Sequence, residues 1–153
     1  MKAYRQEDLY RAMASPAFYP HPVHQVQIRE THISTVCLTG DWVYKVKKAV
    51  DFGFLDFSTA EKRRRFCHRE CDLNRRLTTN VYDGVIPITH RNGRFHPDGP
   101  GPAVEYAVRM RQFDPALQAD RLLDAGELSA AELRRFIDAL INKCGIDLRL
   151  HVV

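Results

Sequence analysis

Apolar and polar residues alternate in short runs along much of this chain, which is the pattern of half-buried β-strands. Such runs predict strands over residues 24–28, 34–39, 42–48, 84–88 and 103–111. Gly40-Asp41 and Asn92-Gly93 are typical of tight turns between antiparallel strands. The Pro- and Gly-rich segment 96–102 is expected to be a loop, since proline and glycine disfavour strand pairing.

Helical periodicity precedes and interrupts these strands. Residues 6–14 predict a short helix, and residues 58–77 predict a long one. Ser58 followed by Glu61 is the capping-box pattern that begins a helix. The long helix is expected to bury the apolar face formed by Phe66, Leu73 and Leu77.

The last part of the chain has a helical pattern only. A short helix is expected to end near Gly126, and Ser129 with Glu132 repeats the capping-box pattern before a further helix. One face of that helix is apolar and consists of Leu133, Phe136, Ile137, Leu140, Ile141 and Cys144. Antiparallel strands with one inserted helix predict an α+β fold, with a main unit at 1–113 and a helical extension at 114–153.

Composition narrows the class of protein. A chain of 153 residues, 44% of them hydrophobic, is sufficient for one globular domain. The longest apolar runs have the length of strands, so no membrane-spanning segment is expected. The N-terminus lacks the apolar core of a signal peptide. Together with four cysteines, which we interpret as reduced thiols, this predicts a cytoplasmic protein.

The basic charge of the chain is concentrated in one helix. The net charge is +4, and residues 61–77 alone contain seven basic and three acidic residues. A dedicated nucleic-acid binder usually spreads such charge over a surface. We therefore interpret the run Arg63-Arg64-Arg65 as the solvated face of the helix, and nucleic-acid binding as the less favoured reading, since no aromatic residues interleave to stack bases.

Two charged residues lie where burial is expected. Lys45 lies inside the strand 42–48, and Glu70 lies among the apolar residues of the long helix. A buried charge is costly unless it is paired. Two such residues of opposite sign therefore predict an ion pair between strand and helix. Lys47 shares the strand face of Lys45 because side chains alternate, so it is the rival candidate.

These residues give the chain a resemblance to a known family. The segments that carry it are Glu30-Thr31-His32-Ile33-Ser34, residues 40–48, residues 50–58, Glu61-Lys62-Arg63-Arg64 and residues 70–77. In these segments the chain resembles the amino-terminal lobe of the aminoglycoside-phosphotransferase-like family, which has a protein-kinase-like fold. The resemblance implies a five-stranded antiparallel sheet, one long helix and trailing helices, with the carboxyl lobe absent.

The resemblance also implies roles for single residues in ATP binding. Lys45 would hold the α- and β-phosphates, and Glu70 would hold Lys45. Val43 would cover the adenine, and Met110 would lie at the back of the nucleotide pocket. Backbone groups of a hinge would bind the adenine edge, and the hinge residues would be Arg111, Gln112 and Phe113.

The turn at residues 30–34 would lie over the phosphates. Kinase phosphate loops use glycine for close backbone approach, and this turn has none. Side-chain donors would replace the backbone donors, and these would be Thr31, His32 and Ser34.

Phosphoryl transfer requires a catalytic Asp and the magnesium ligands of the carboxyl lobe. The family binds ATP with Mg²⁺, but no metal ligands and no catalytic residue are assigned to this chain. We therefore expect nucleotide binding without phosphate transfer by the chain alone. Possible partners are a missing carboxyl lobe or a second copy, joined through the apolar face of the last helix.

Two alternatives remain open at this stage. One is a non-enzymatic interaction or regulatory module, and another is the basic nucleic-acid-binding domain. Cys67, His68 and Cys71 also suggest a zinc site, but a structural site needs four ligands. We favour buried thiols for the two cysteines.

Overall fold

The fold is a single antiparallel β-sheet with helices on both faces, which confirms the predicted α+β class. The structure is a computed structural model and describes residues 4–114 and 119–144. Its helices are α1 (Gln6–Met13), α2 (Ala60–Asn74), α3 (Ala119–Asp124) and α4 (Ala130–Cys144), with a short 3-10 helix at Pro16–Phe18. Its strands are β1 (Gln27–Glu30), β2 (Ser34–Leu38), β3 (Trp42–Lys47), β4 (Tyr82–Arg91), β5 (Arg94–Pro97) and β6 (Ala103–Arg111).

The sheet has six strands among the described residues, so the prediction of five was wrong. The strand order is β1-β2-β3-β6-β4-β5, and every neighbouring pair is antiparallel. The missed strand is β5, which lies partly in the predicted loop 96–102. Pro97 is tolerated there because it ends a strand at the edge of the sheet.

Both predicted hairpin turns are confirmed. Gly40 has a φ of +103°, and Thr39 N–H donates to the Trp42 carbonyl across the turn between β2 and β3. Asn92 and Gly93 have φ values of +52° and +75°, which is the geometry of a type I′ turn. Their turn joins β4 to β5, so the turn was predicted correctly although the strand after it was not.

Helix α2 begins and ends inside the predicted bounds. The Thr59 side chain, and not Ser58, accepts a hydrogen bond from Lys62 N–H at 3.2 Å and caps the first turn. The predicted buried face was partly wrong, since Leu73 is exposed. The residues that α2 buries against the sheet are Arg63, Cys67 and Cys71.

The two faces of the sheet bury different sets of residues. On one face, α1 and the 3-10 helix cover an apolar core of Leu9, Met13, Phe18, Tyr44, Val46 and Ile88. On the other face, α2 packs on β6 and β4 over Cys67, Cys71 and Val108. Lys45 and Lys47 alternate with Tyr44 and Val46 on β3, so both lysines point to the face that α2 covers.

The predicted capping box of α4 is confirmed. Ser129 Oγ donates to Glu132 at 2.6 Å, and Glu132 N–H donates back to Ser129 Oγ at 3.3 Å. The apolar face of α4 is largely exposed, and Phe136 is 57% exposed. Residues 115–118 and 145–153 of the predicted extension lie outside the described residues.

No helix in residues 4–114 or 119–144 combines the length and the apolar character that crossing a bilayer requires.

Candidate functional site

A cluster of three charged side chains joins strand β3 to helix α2. Lys45 Nζ donates to Glu70 Oε1 at 2.8 Å, and Lys47 Nζ donates to Glu70 Oε2 at 2.7 Å. The ion pair predicted between Lys45 and Glu70 is therefore present. Lys47, the rival candidate, binds the same carboxylate. The prediction chose one lysine, whereas both of them pair with Glu70.

The two lysines differ in their access to solvent. The Lys47 side chain is 6% exposed, and its ammonium lies 5.0 Å from the centre of the Phe57 ring. The Lys45 side chain is 28% exposed. Lys45 is therefore the lysine of this cluster that a ligand can reach.

Glu70 carries a negative charge at neutral pH. Burial raises the pKa of its carboxyl, but the hydrogen bonds and positive charges of Lys45 and Lys47 outweigh burial and hold the pKa below the ordinary value. The cluster consequently contains two cations and one anion.

An apolar cavity of about 360 Å³ lies beside this cluster on the same face of the sheet. Val36 and Val43 line it, and each is a direct neighbour of Lys45, since Val36 pairs with Lys45 across the sheet and Val43 precedes it by two residues. Leu38, Met110, Val81 and Tyr82 complete the apolar wall. Cavities of this size, with an apolar lining and a few polar groups, are typical small-molecule sites.

The predicted hinge, residues 111–113, forms one rim of the cavity. Two of its backbone donors are already used, because Arg111 N–H donates to the Val81 carbonyl at 2.8 Å and Gln112 N–H donates to the Asp41 carbonyl at 2.9 Å. The Phe113 side chain is half exposed and lines the cavity. A ligand edge at this rim would therefore not find the Arg111 and Gln112 N–H groups free.

The predicted phosphate-covering turn is stabilised by its own threonine. Thr31 Oγ1 accepts hydrogen bonds from Ile33 N–H at 3.3 Å and Ser34 N–H at 3.0 Å. His32 is exposed at the tip of the turn. Ser34 is buried, and its hydroxyl has no hydrogen-bond partner among the described residues. Of the three predicted side-chain donors, His32 is thus the one that faces solvent with a ring nitrogen.

Sequence reasoning missed Arg29 as a cavity residue. Arg29 lies on the edge strand β1, pairs with Val36 on β2, and lines the cavity. Through Val36 it belongs to the same cross-strand row as Lys45. The sequence could have indicated this position, because antiparallel pairing of β1 and β2 around the turn at 31–33 places residues 29 and 36 opposite each other.

The interpretation of Arg63-Arg64-Arg65 as solvated was wrong for Arg63. Its side chain is 6% exposed and binds Glu105, which is fully buried, with an Nη2–Oε2 distance of 2.8 Å. Tyr4 and Gln6 donate further hydrogen bonds to the same carboxylate at 2.9 Å. Arg64 and Arg65 are exposed as predicted. The Arg63–Glu105 pair fixes α2 on β6, close to the start of the helix.

The cysteines of α2 are buried free thiols, as predicted. Cys67 is fully buried and Cys71 nearly so. Burial raises the pKa of the Cys67 thiol to about 12. In the described part of the chain, no group of three or more His, Cys, Asp and Glu residues has the arrangement of a metal site.

A second cavity lies on the opposite face of the sheet. It has a volume of about 720 Å³ and lies between α1 and the β4–β5 hairpin, where Phe18, Phe95 and Arg94 line it. It is larger than the cavity beside Lys45. The charged pair that lines it, Arg11 and Asp8, is largely exposed, whereas the smaller cavity adjoins the half-buried lysine cluster, so the smaller cavity is the better candidate for a specific site.

Comparison with known proteins gives relatives of much greater length. The chain is 37% identical over 109 residues to uncharacterized proteins from two strains of Mycobacterium tuberculosis and from Mycobacterium bovis. The match covers 69% of this chain and 20% of each relative, so the chain spans about a fifth of the length of the curated relatives it matches. No protein-family model and no solved structure matches the chain.

Proposed function

We propose that this chain binds ATP or ADP and forms the amino-terminal, nucleotide-binding lobe of a kinase-like small-molecule phosphotransferase. The observation that carries the proposal is the position of the Lys45 ammonium. Glu70 holds it, and its neighbours Val36 and Val43 line an apolar cavity whose rim includes residues 111–113. A flat apolar base matches this cavity, and a charged phosphate tail matches the adjacent lysine.

The contacts of such a ligand follow from the geometry. The adenine would lie over Val43 and Met110, which are cross-strand neighbours on one face of the sheet, with its edge toward residues 111–113. The phosphates would extend toward Lys45, since this lysine follows Val43 by two residues, a distance of roughly 7 Å along a strand. Phosphate binding by a lysine that a helix glutamate holds is the device of protein kinases.

The test is a thermal shift with Mg-ATP at millimolar concentration, followed by calorimetric titration. Binding at a hundredfold excess over the Kd is expected to stabilise the chain by about 2.7 kcal/mol. Lys45→Met is expected to weaken ATP binding by about 10- to 100-fold, because one charge-assisted contact to phosphate is lost.

The matched control is Lys62→Met. Lys62 lies on α2 and pairs with Asp56, outside the cluster at Glu70. This variant is expected to bind ATP as the wild type does. An equal loss of ATP affinity in both variants would show that the effect comes from the net charge of the chain and not from the site. Absence of ATP binding by the wild type would reject the proposal.

A second candidate function is an interaction module that uses α4. The exposed apolar side chains of Leu133, Phe136 and Ile137 favour it, since exposed apolar patches mark interaction surfaces. Analytical ultracentrifugation is expected to show self-association that Phe136→Glu abolishes and Arg135→Ala, on the opposite side of the helix, preserves. A monomer at all concentrations would reject self-association through this face.

A further inference from the structure

The carboxylate of Glu70 binds two lysines, one through each oxygen. Oε1 accepts from Lys45 and Oε2 accepts from Lys47, with nearly equal distances of 2.8 and 2.7 Å. A single lysine–glutamate pair would have no net charge, whereas this cluster has a net charge of +1. The structure therefore contains one cation more than its internal pairing requires.

Burial decides which lysine neutralises Glu70 permanently. Lys47 is enclosed between β3, α2 and the Phe57 ring, and its side chain is 6% exposed. Ser34 lies directly opposite Lys47 on β2 and is itself buried. No ligand in the cavity can reach the Lys47 ammonium, so this lysine has no anionic partner to exchange for Glu70.

We propose that Lys47 is a positioning residue that neutralises Glu70 and so leaves the charge of Lys45 available for the phosphates of a nucleoside di- or triphosphate. This inference rests on the proposed nucleotide site. Without Lys47, Glu70 would attract Lys45 with its full charge, and an incoming phosphate would compete with the carboxylate. With Lys47 in place, Glu70 fixes the direction of Lys45 while its charge is already compensated.

The other titratable groups near Glu70 do not replace Lys47. Cys67 and Cys71 lie on the same helix, and Tyr82 lies on β4, where the charge of Glu70 contributes to the raised pKa of each. Burial raises the pKa of each of these three groups, so all are uncharged at neutral pH. Lys45 and Lys47 are thus the cations that determine the charge of the cluster among the described residues.

The inference predicts a specific effect on phosphate recognition. Lys47→Met keeps the shape of the buried side chain and removes its charge. It is expected to weaken ATP binding by about tenfold, since a charge-assisted contact loses most of its strength. Binding of adenosine, which has no phosphate, is expected to stay unchanged. Lys47→Arg retains the charge and is expected to restore ATP binding.

The experiment measures the affinities of ATP and adenosine by calorimetry for wild type, Lys47→Met, Lys47→Arg and the control Lys62→Met. A lower ratio of ATP to adenosine affinity in Lys47→Met alone supports the inference. An unchanged ratio overturns it, even when the variant is less stable, because a purely structural lysine would affect both ligands alike.

A second measurement separates this inference from the proposed function. The pKa of the Glu70 carboxyl, followed by carbon NMR in Lys45→Met and Lys47→Met, requires no nucleotide. A larger rise in Lys47→Met than in Lys45→Met supports the role of Lys47, and an equal or smaller rise overturns it. Failure of wild type to bind either ligand would reject the nucleotide site, and the NMR comparison would still decide which lysine compensates Glu70.

Discussion

Helix α2 has two ion clusters on its buried side, and they differ in charge balance and in access. The Arg63–Glu105 pair near the start of the helix is sealed, with side-chain exposures of 6% and 0%, and its two charges cancel. The Lys45–Glu70–Lys47 cluster, two turns further along, has an excess positive charge and a lysine that is 28% exposed.

The difference distinguishes a structural pair from a candidate binding site. In the sealed pair the hydrogen-bonding groups are used within the protein, since Tyr4 and Gln6 add donors to Glu105 and the Phe57 carbonyl accepts from Arg63. A buried pair of this kind fixes the position of the helix on the sheet, and its charged groups are not accessible to a ligand. The open cluster lies beside an apolar cavity and has a cation that is partly exposed to solvent.

The largest expected effect concerns the sealed pair. Arg63→Met removes the cation and leaves the Glu105 carboxylate buried, which costs about 3–5 kcal/mol of stability for a buried pair. Urea unfolding measures the change. The control is Arg64→Met, because the Arg64 side chain is 48% exposed and a surface substitution usually changes stability by less than about 0.5 kcal/mol. Equal losses in the two variants would contradict the structural role of the pair.

The second prediction concerns the pH dependence that Glu70 contributes. Its pKa is lower in the folded chain than the ordinary value of 4.5, so its ionised form stabilises the fold. That stabilisation is present above the unfolded-state pKa and is lost as the pH falls through the folded-state pKa. Unfolding free energies measured from pH 7 down to pH 3 are expected to fall less steeply in Glu70→Gln than in wild type. Parallel curves would show that the lysines do not lower the pKa of Glu70.

A smaller effect is expected at the edge of the candidate site. Arg29→Ala is expected to weaken ATP binding by roughly two- to fivefold, since an exposed charge contributes little. Arg94→Ala is the matched control, because Arg94 lies on the opposite edge strand, β5. Calorimetric titration compares the two variants. A loss in Arg94→Ala as large as in Arg29→Ala would place Arg29 outside the site.

The smallest expected signal comes from Cys67, which lies on α2 between the two clusters. The thiol is fully buried and its pKa is about 12, so iodoacetamide at pH 8 is expected to leave it unmodified in the native chain. Mass spectrometry after timed labelling checks this. Labelling is expected to become measurable in Arg63→Met, where α2 is held less firmly, and rapid labelling of the wild type would contradict the packing of α2.

The sequence predicted the open cluster better than the sealed one, for a physical reason. Lys45 and Glu70 each interrupt an apolar pattern, so their burial and pairing are visible in the local sequence. Arg63 lies in a run of three arginines, and its partner Glu105 is 42 residues away on β6. Pairing over such a separation depends on how α2 packs on the sheet, which local periodicity does not contain.

The same reasoning explains the errors in the fold. The strands whose apolar pattern is strong, β2, β3 and β6, were predicted within about one residue. Strand β5 was missed because its own residues do not have a strand pattern. It is stabilised by pairing with β4 after the Asn92-Gly93 turn. Arg29 was missed because its role depends on the cross-strand row that the register of β1 and β2 creates.

The most direct test of the nucleotide site uses the methionines of the chain as reporters. Met110 lines the cavity beside Lys45, Met13 is buried in the core on the opposite face, and Met1 lies outside the described residues. Methyl NMR of the methionine-labelled chain is recorded during a titration with Mg-ATP. The Met110 signal is expected to shift in wild type and much less in Lys45→Met, while Met13 stays fixed. A shift of Met13 without one of Met110 would contradict a nucleotide site between β3 and α2.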